Sequence, residues 1–392
     1  MRIKTAFLGI LLFFASLSFG DVASDEEQIS TPSVAMTAAI LRSKLPAKIE
    51  IIEAGLSRPW GMAYLPDHRL LITQKTGEMI ILDPALEWRQ DIVAGLPDTT
   101  NDGQGGLLDV VVDPDFESEP WVYWVYSEPG TGPELGLSGA AVARGRLQNL
   151  TLTDVEIIFR QSPKLSGADH FGSRLIFRDD KTLFITLGDR RQRSIVQDGN
   201  NTVGKIIRIN RDGSLPPDNP EISGFSPTIW SYGHRNPQGA ALRPNSDVLW
   251  ISEHGPRGGD EINKIEAGRN YGWPNVSYGC EYGDPDLEGC QIGGGRHQPE
   301  YTEPATYWEP LSIATSGMIF YQGAAFPDWR GNIFVGALAD KSIWRLEVEG
   351  DEVVARESMF GNLQERVRDI EEGPDGLIYF ITDSGKLYRA VP

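Results

Sequence analysis

ALRPNSDVLWISE, residues 241–253, is the stretch on which the fold turns. An apolar start runs into a short Pro/Asn/Asp turn, which opens into a strand of β-branched and aromatic residues. Pro and Asn preset the backbone of such a turn, while Val, Ile and Trp suit a pleated, half-buried surface. The pattern recurs as AYLPDHRLLITQ at 63–74, VVDPDFESEPWVYWVYS at 111–127 and IFRDDKTLFITLGD at 176–189. It returns in FYQGAAFPDWRGNIFVGAL at 320–338 and EEGPDGLIYFITD at 371–383. Most copies are followed by a strand of alternating polarity, such as GEMIILD, GKIIRIN, KSIWRLEV or GKLYRAV. Copies stand roughly 45 to 85 residues apart, near or above the length of a four-stranded propeller blade. The intervening segments are too rich in Gly and Pro for the helices of an α/β stack. The repeats therefore predict an all-β fold, a six-bladed β-propeller of four-stranded antiparallel blades over residues 46–392. One blade alone has exposed edges and too little core, so the ring must close. The strand AKIEIIEAGL at 47–56 is predicted to join the last blade and close it.

The chain of 392 residues carries a formal charge of −19 and 40% hydrophobic residues, enough for a substantial core. Its acidic balance argues against nucleic acid or an anionic membrane as partner. Met1-Arg2-Ile3-Lys4 is a basic start, Ala6 to Phe19 is apolar, and small residues follow. Residues 1–20 read as a secretory signal cleaved near Gly20 or Ala23, and 21–45 as a flexible leader. An uncleaved anchor is the other reading. Export places the protein in the periplasm or outside the cell, without stable membrane insertion. Cys280 and Cys290 flank the acidic loop CEYGDPDLEGC. In an exported protein that pattern reads as a local disulfide. A zinc site with His297 is the weaker alternative.

Between and within the copies lie polar loops that a propeller would gather at one end of its channel. Residues 228–265 hold two, HRNPQG from His234 and the stretch from Glu253 to Glu261. Arg235 and Asn236 together can grip a planar anion through a forked donor set and an amide. Gly255-Pro256 can present bare carbonyl oxygens, and the acidic pair Asp260-Glu261 suits a hard cation such as calcium. Gln104 sits among glycines, where backbone can approach a flat ligand. His170 stands directly before a strand, where it can act as a general base if a neighbour orients it. Asp189 closes the following strand and can hold that imidazole or an Arg. Arg366 and Arg368, two apart, point to one face of a strand and suit an anion with several carboxylates. Each has an ordinary reading too: a turn, a structural His, or a surface ion pair of the two arginines with Glu365 or Asp369.

With these pieces in order, the sequence resembles the soluble quinoprotein sugar dehydrogenases, most closely their aldose sugar dehydrogenase branch. The resemblance rests on GQGGLLDVVVDPDF, DHFGSRL, LFITLGD, WSYGHRNPQG, SEHGPRGGDEIN, NYGWP and RVRDIEEGPDG, which occur in the family's order. It implies a propeller holding pyrroloquinoline quinone (PQQ) and calcium at the channel mouth. His170 would be the general base, with Asp189 supporting it and Arg235. Arg235, Asn236, Gln104, Arg366 and Arg368 would hold PQQ. Tyr282 would lie at its edge, and Ala337, Leu338, Ala339 and Asp340 beside it. The carbonyls of Gly255 and Pro256 would ligate the catalytic calcium, and Glu261 and Tyr271 a second, structural one. The family commonly has a cofactor-contacting Lys where this chain has Ala339, and the nearest Lys is Lys341.

The resemblance further implies oxidation of aldoses at C1 to lactones. His170 would take the anomeric proton while hydride passes to C5 of PQQ. Electrons would then leave to an external acceptor, since no haem or iron–sulfur ligation motif is present. The expected partners are a small aldose and that acceptor, and the expected state is a monomer or homodimer. Two other classes fit the loops. A calcium-dependent propeller hydrolase of lactones or phosphoesters would act without PQQ. A non-catalytic binding propeller would show no dye-linked oxidation at all.

Overall fold

The computed structural model describes residues 39–40, 47–287 and 289–392. The signal peptide expected at 1–20 and most of the leader expected at 21–45 lie outside the described residues. Among the described residues no helix is long and apolar enough to cross a membrane.

Each of the six repeats folds as the two innermost strands of one blade. The innermost strands are Pro59–Tyr64, Leu107–Val112, Gly172–Phe177, Pro237–Leu242, Thr315–Phe320 and Val367–Glu372. They pack side by side in a closed ring, each against the next. Second strands such as Leu70–Gln74, Leu183–Leu187 and Leu249–Glu253 are buried along their whole length. This accounts for their near-continuous apolar runs, since both faces meet a neighbouring blade. Outer strands such as Thr151–Arg160 are mostly exposed.

Every blade is a meander of antiparallel strands, and six sheets of this kind make the propeller. The last blade takes its outer strand from the N-terminal side. Lys48–Ala54 pairs antiparallel with Lys386–Val391, with Lys48 opposite Val391 and Ala54 opposite Lys386. This is the predicted closure. It covers the edge of Lys386–Val391 and joins the two ends of the propeller in one blade, leaving the mostly exposed Lys48–Ala54 as its outer strand. The two-residue strand Ala39–Ile40 adds a fifth, parallel strand to the fifth blade, against Glu352–Met359.

One irregularity repeats in all six blades. The pairing of the innermost strand with the second slips near the start of the innermost strand, for example between Gly172 and Leu175 and between Val367 and Asp369. A slip of this kind bends a strand and re-aims its side chains. The starts of the innermost strands and the ends of the second strands lie at one end of the channel. The Pro/Asp/Asn/Gly turns that make the repeat legible lie at the other.

Candidate active site

At the slipped end, hydrogen bonds stitch neighbouring blades together around His170. Gln104 of the second blade accepts the His170 backbone N–H at 2.9 Å through Oε1. Asn236 of the fourth blade accepts Gly172 N–H at 3.2 Å. Gln238 donates to Asn236 Oδ1 at 3.3 Å and accepts from Arg368 Nη1 of the sixth blade at 3.1 Å. Arg366 donates to the Leu338 carbonyl of the fifth blade at 2.9 Å. Lys75 of the first blade donates to the Gly103 carbonyl at 2.7 Å. His170, Arg235 and Arg366 thus share one end of the ring.

His170 is buried, and its Nδ1 meets Asp189 Oδ1 at 2.7 Å. The Arg191 backbone N–H donates to the same oxygen at 2.7 Å, and Trp273 Nε1 donates to Oδ2 at 2.8 Å. Burial alone would raise the Asp189 carboxyl, but the His170 bond and nearby positive charge outweigh it and hold the group below the usual range. An ionised Asp189 fixes the proton on Nδ1, so the lone pair sits on Nε2. Burial keeps the His170 imidazolium below its usual range, with Arg235 and Arg191 adding to the effect against the pull of Asp189. The ring is held in one orientation, and its surroundings favour the neutral form.

Arg235 donates to the His254 carbonyl and to Tyr282 Oη, each at 3.1 Å. Its Nε is buried without a hydrogen-bond partner. Its own N–H donates to Glu253 Oε1, while Glu253 Oε2 meets His234 Nδ1 at 3.0 Å. A buried guanidinium with an unmet donor is matched to an anionic ligand. Arg366 and Arg368 both bond Asp383, at 2.8 and 2.9 Å through their Nε atoms. Sequence proximity favours Glu365 or Asp369 as the partner of this pair. Glu365 instead bonds Lys386, and Asp369 meets Arg174 at 2.8 Å. Sequence neighbours lost to Asp383 because the adjacent strand presents it across the ladder. One carboxylate between two guanidiniums leaves positive charge to spare. Burial, with Arg58 and Arg368 close by, pushes Lys75 down to about 8.

Ala337 and Leu338 are buried at the end of their strand, whereas Ala339 and Asp340 are exposed. Asp340 accepts from Trp344 Nε1 at 2.9 Å and from Ser342. Tyr282 is 58% exposed, in a loop closed by the Cys280–Cys290 disulfide. Gly255 N–H donates to Asp260 Oδ1 at 2.9 Å, and Asp260 Oδ2 accepts from Ser312 Oγ and Ala314 N–H at 2.6 and 2.7 Å. Asp260 therefore braces the Gly255-Pro256 turn against the fifth blade.

Beside this turn, Glu261 faces Glu253 across paired strands. Arg235, Glu253, Glu261, Tyr271, Trp273 and His297 line a small shared cavity. Burial, then repulsion from Glu253, raises Glu261 well above the usual carboxylate range. His297 Nδ1 and Asn263 Oδ1 are buried without partners. Asn263 Nδ2 donates to Glu261 Oε2 at 3.2 Å, and two facing buried carboxylates of this kind are a set of hard oxygen donors that suits calcium. Tyr271 Oη is spent on the Lys264 carbonyl at 2.6 Å, which leaves its own carbonyl as its candidate ligand.

The sequence reading did not single out Trp273, Arg190, His254 or Lys75. Trp273 lies in NYGWP and His254 adjoins Gly255, so both sit in quoted motifs, but nothing local reveals their partners.

Residues 56–389 match the Glucose / Sorbosone dehydrogenase family. The chain is 41% identical to the aldose sugar dehydrogenase YliI of Escherichia coli over 376 residues, covering 92% of this chain and 97% of that one. Its fold matches the crystal structure of the soluble aldose sugar dehydrogenase of Escherichia coli in the apo-form. The TM-score is 0.82 at 41% identity, over 88% of this chain and 100% of that one. It also matches the PQQ-bound aldose sugar dehydrogenase of Streptomyces coelicolor, with a TM-score of 0.73 at 25% identity, over 88% and 98% of the two chains.

Proposed function

The chain belongs to the glucose/sorbosone dehydrogenase family, and from that premise we propose that it oxidises aldoses at C1 to lactones with PQQ and calcium. It is a sugar dehydrogenase of the quinoprotein type. When bound, PQQ supplies the acceptor for a hydride and calcium the Lewis acid, and the chain supplies position and field.

Arg235, with its unmet Nε, and the Arg366–Arg368 pair are the cationic grip for the carboxylates of the quinone. Asn236 lies between this grip and the His170 loop. Gln104 contributes by holding the His170 backbone. Tyr282 extends the Arg235 side of the pocket, and Ala337 to Asp340 form its edge on the fifth blade. The Gly255 and Pro256 carbonyls, on a turn fixed by Asp260, are the ligands for the catalytic ion. Glu261 and the Tyr271 carbonyl hold the structural one.

His170 Nε2 takes the proton of the anomeric hydroxyl. Asp189, bound by three donors, keeps the imidazole in the required tautomer and stabilises the imidazolium that forms. The electron acceptor is external to the chain. The Cys280–Cys290 disulfide supports an oxidising compartment, in keeping with a periplasmic or secreted protein.

The observation that carries this reading is the buried His170–Asp189 pair beside a guanidinium with an unmet donor. Apo-protein reconstituted with PQQ and calcium should reduce a redox dye when given an aldose. Absence of dye reduction across a panel of aldoses would overturn the proposal.

A further inference from the structure

Arg190 follows Asp189 in the chain and is buried at 2% exposure. Its guanidinium is matched with carbonyl oxygens rather than a carboxylate. Nε donates to the Asp169 carbonyl at 3.0 Å, and Nη2 donates to the Gly167 carbonyl at 2.6 Å. Nη1 donates to the Ser138 carbonyl at 3.0 Å, and Nη2 also reaches Ser138 Oγ at 3.3 Å. The guanidinium lies 3.7 Å over the Phe171 ring, and the Arg190 N–H donates to the His170 carbonyl at 3.2 Å. One side chain therefore touches residues on both sides of His170. It also ties them to Ser138, the first residue of a strand in the second blade.

The segment needs such a brace. His170 has φ 53°, left-handed backbone that a residue with a side chain adopts only when its surroundings impose it. Gly188 packs so closely beneath that a Cβ there would stand 2.1 Å from the His170 carbonyl oxygen. Burying a cation without a carboxylate is costly, and it pushes Arg190 down to about 10. A group kept at that cost, with its donors spent on one short segment, serves the placement of that segment.

We propose that Arg190 is a positioning residue for His170: it clamps Gly167–Phe171 to the second blade and so sets the imidazole against Asp189 at the working distance from the sugar. The proposal rests on the dehydrogenase reading for its kinetic consequence, while the placement of the ring is testable without it. A planar fork meets carbonyls on two loops in fixed directions while its face lies on Phe171. A lysine ammonium offers three donors from one atom and a glutamine amide two, so neither reproduces the whole set.

The test compares R190K, R190Q and R190A with the parent protein, loaded with PQQ and calcium, and expresses turnover per PQQ-loaded site. Misplacement of a base by about 1 Å costs up to about 100-fold. The expected result is a kcat lowered at least about tenfold in R190K and further in R190A. KM and the PQQ Kd from fluorescence titration should change much less. Added guanidinium should restore part of the R190A rate, while sodium at equal ionic strength should not. NMR of the His170 ring in the apo-proteins should show its titration moving toward that of free imidazole. R190Q carries the comparison if R190A does not fold. The proposal is overturned if kcat per loaded site stays within about twofold of the parent and the His170 titration is unmoved. It is equally overturned if the whole loss lies in the loaded fraction or in melting temperature. A parent protein that oxidises no aldose would sink the dehydrogenase reading instead, and the apo-protein titration would still decide whether Arg190 places His170.

Discussion

Asp189 Oδ1 lies 2.7 Å from His170 Nδ1, because the two residues flank the open end of one hairpin, where Gly172 pairs with Leu187. The same oxygen takes the Arg191 N–H, and the other takes Trp273. A carboxylate with three donors on it has little freedom to rotate, so the ring it holds is aimed before any sugar arrives. That pre-aiming is the most direct route to a test.

Asp189→Asn keeps the shape but offers an amide in place of a carboxylate. The ring can then bind through the wrong tautomer, and the imidazolium loses its counter-charge. Turnover should fall about 10²- to 10⁴-fold. PQQ binding, followed by fluorescence titration, should change little. A kcat within a few-fold of the parent would remove Asp189 from the mechanism.

The pH profile follows from the burial of His170. Its folded pKa lies below the usual imidazole value, so the neutral base persists to lower pH. The acidic limb of kcat/KM should therefore fall below about 6.5. The stability sign is the reverse of that for a paired His. The folded ring binds fewer protons than the unfolded one, so its burial costs stability as pH drops from about 6.5 toward the folded pKa. Urea midpoints of His170→Asn should accordingly lose less than those of the parent across that window.

Arg368 is the more buried of the two arginines on Asp383, at 13% side-chain exposure against 46% for Arg366. Charge-assisted hydrogen bonds contribute about 1.5–3 kcal/mol each. Arg368→Ala should weaken PQQ binding about 10- to 100-fold, and Arg366→Ala by less because water screens it. Equal effects, measured by titration of the apo-protein, would contradict the burial argument.

Calcium should stabilise the chain through the buried Glu253–Glu261 pair. At free calcium 100-fold above Kd, the gain is about 2.7 kcal/mol. Chelation should lower the melting temperature correspondingly. Glu261→Gln should raise the melting temperature of the apo-protein, because one of two facing buried carboxylates is neutralised. The variant should also respond less to added calcium. A calcium response identical to that of the parent would place the structural ion elsewhere.

Much of the architecture was legible in the sequence. The six turn-and-strand copies are the inner hairpins of the six blades, and AKIEIIEAGL closes the ring on Lys386–Val391. The loops HRNPQG and DHFGSRL, and the end of LFITLGD, could be marked as chemistry-bearing because Gly, Pro, Arg, Asn and His cluster there against strands. What could not be read was pairing. Arg366 and Arg368 found Asp383 rather than Glu365 or Asp369, and Asn236 reached Gly172. Trp273 reached back 84 residues to Asp189.

The sequence by itself determined the repeating unit, because turn residues and strand residues act within a dozen positions of one another. It also determined which loops carry donors and carboxylates. Only the tertiary structure decided which of those loops meet. Ring closure brings the starts of the innermost strands to one rim, and the register slip in each blade turns their side chains onto it. Both are long-range consequences of packing. Arg190 shows the difference most plainly: along the chain it is one arginine among several, and in the ring it spans two blades to hold His170.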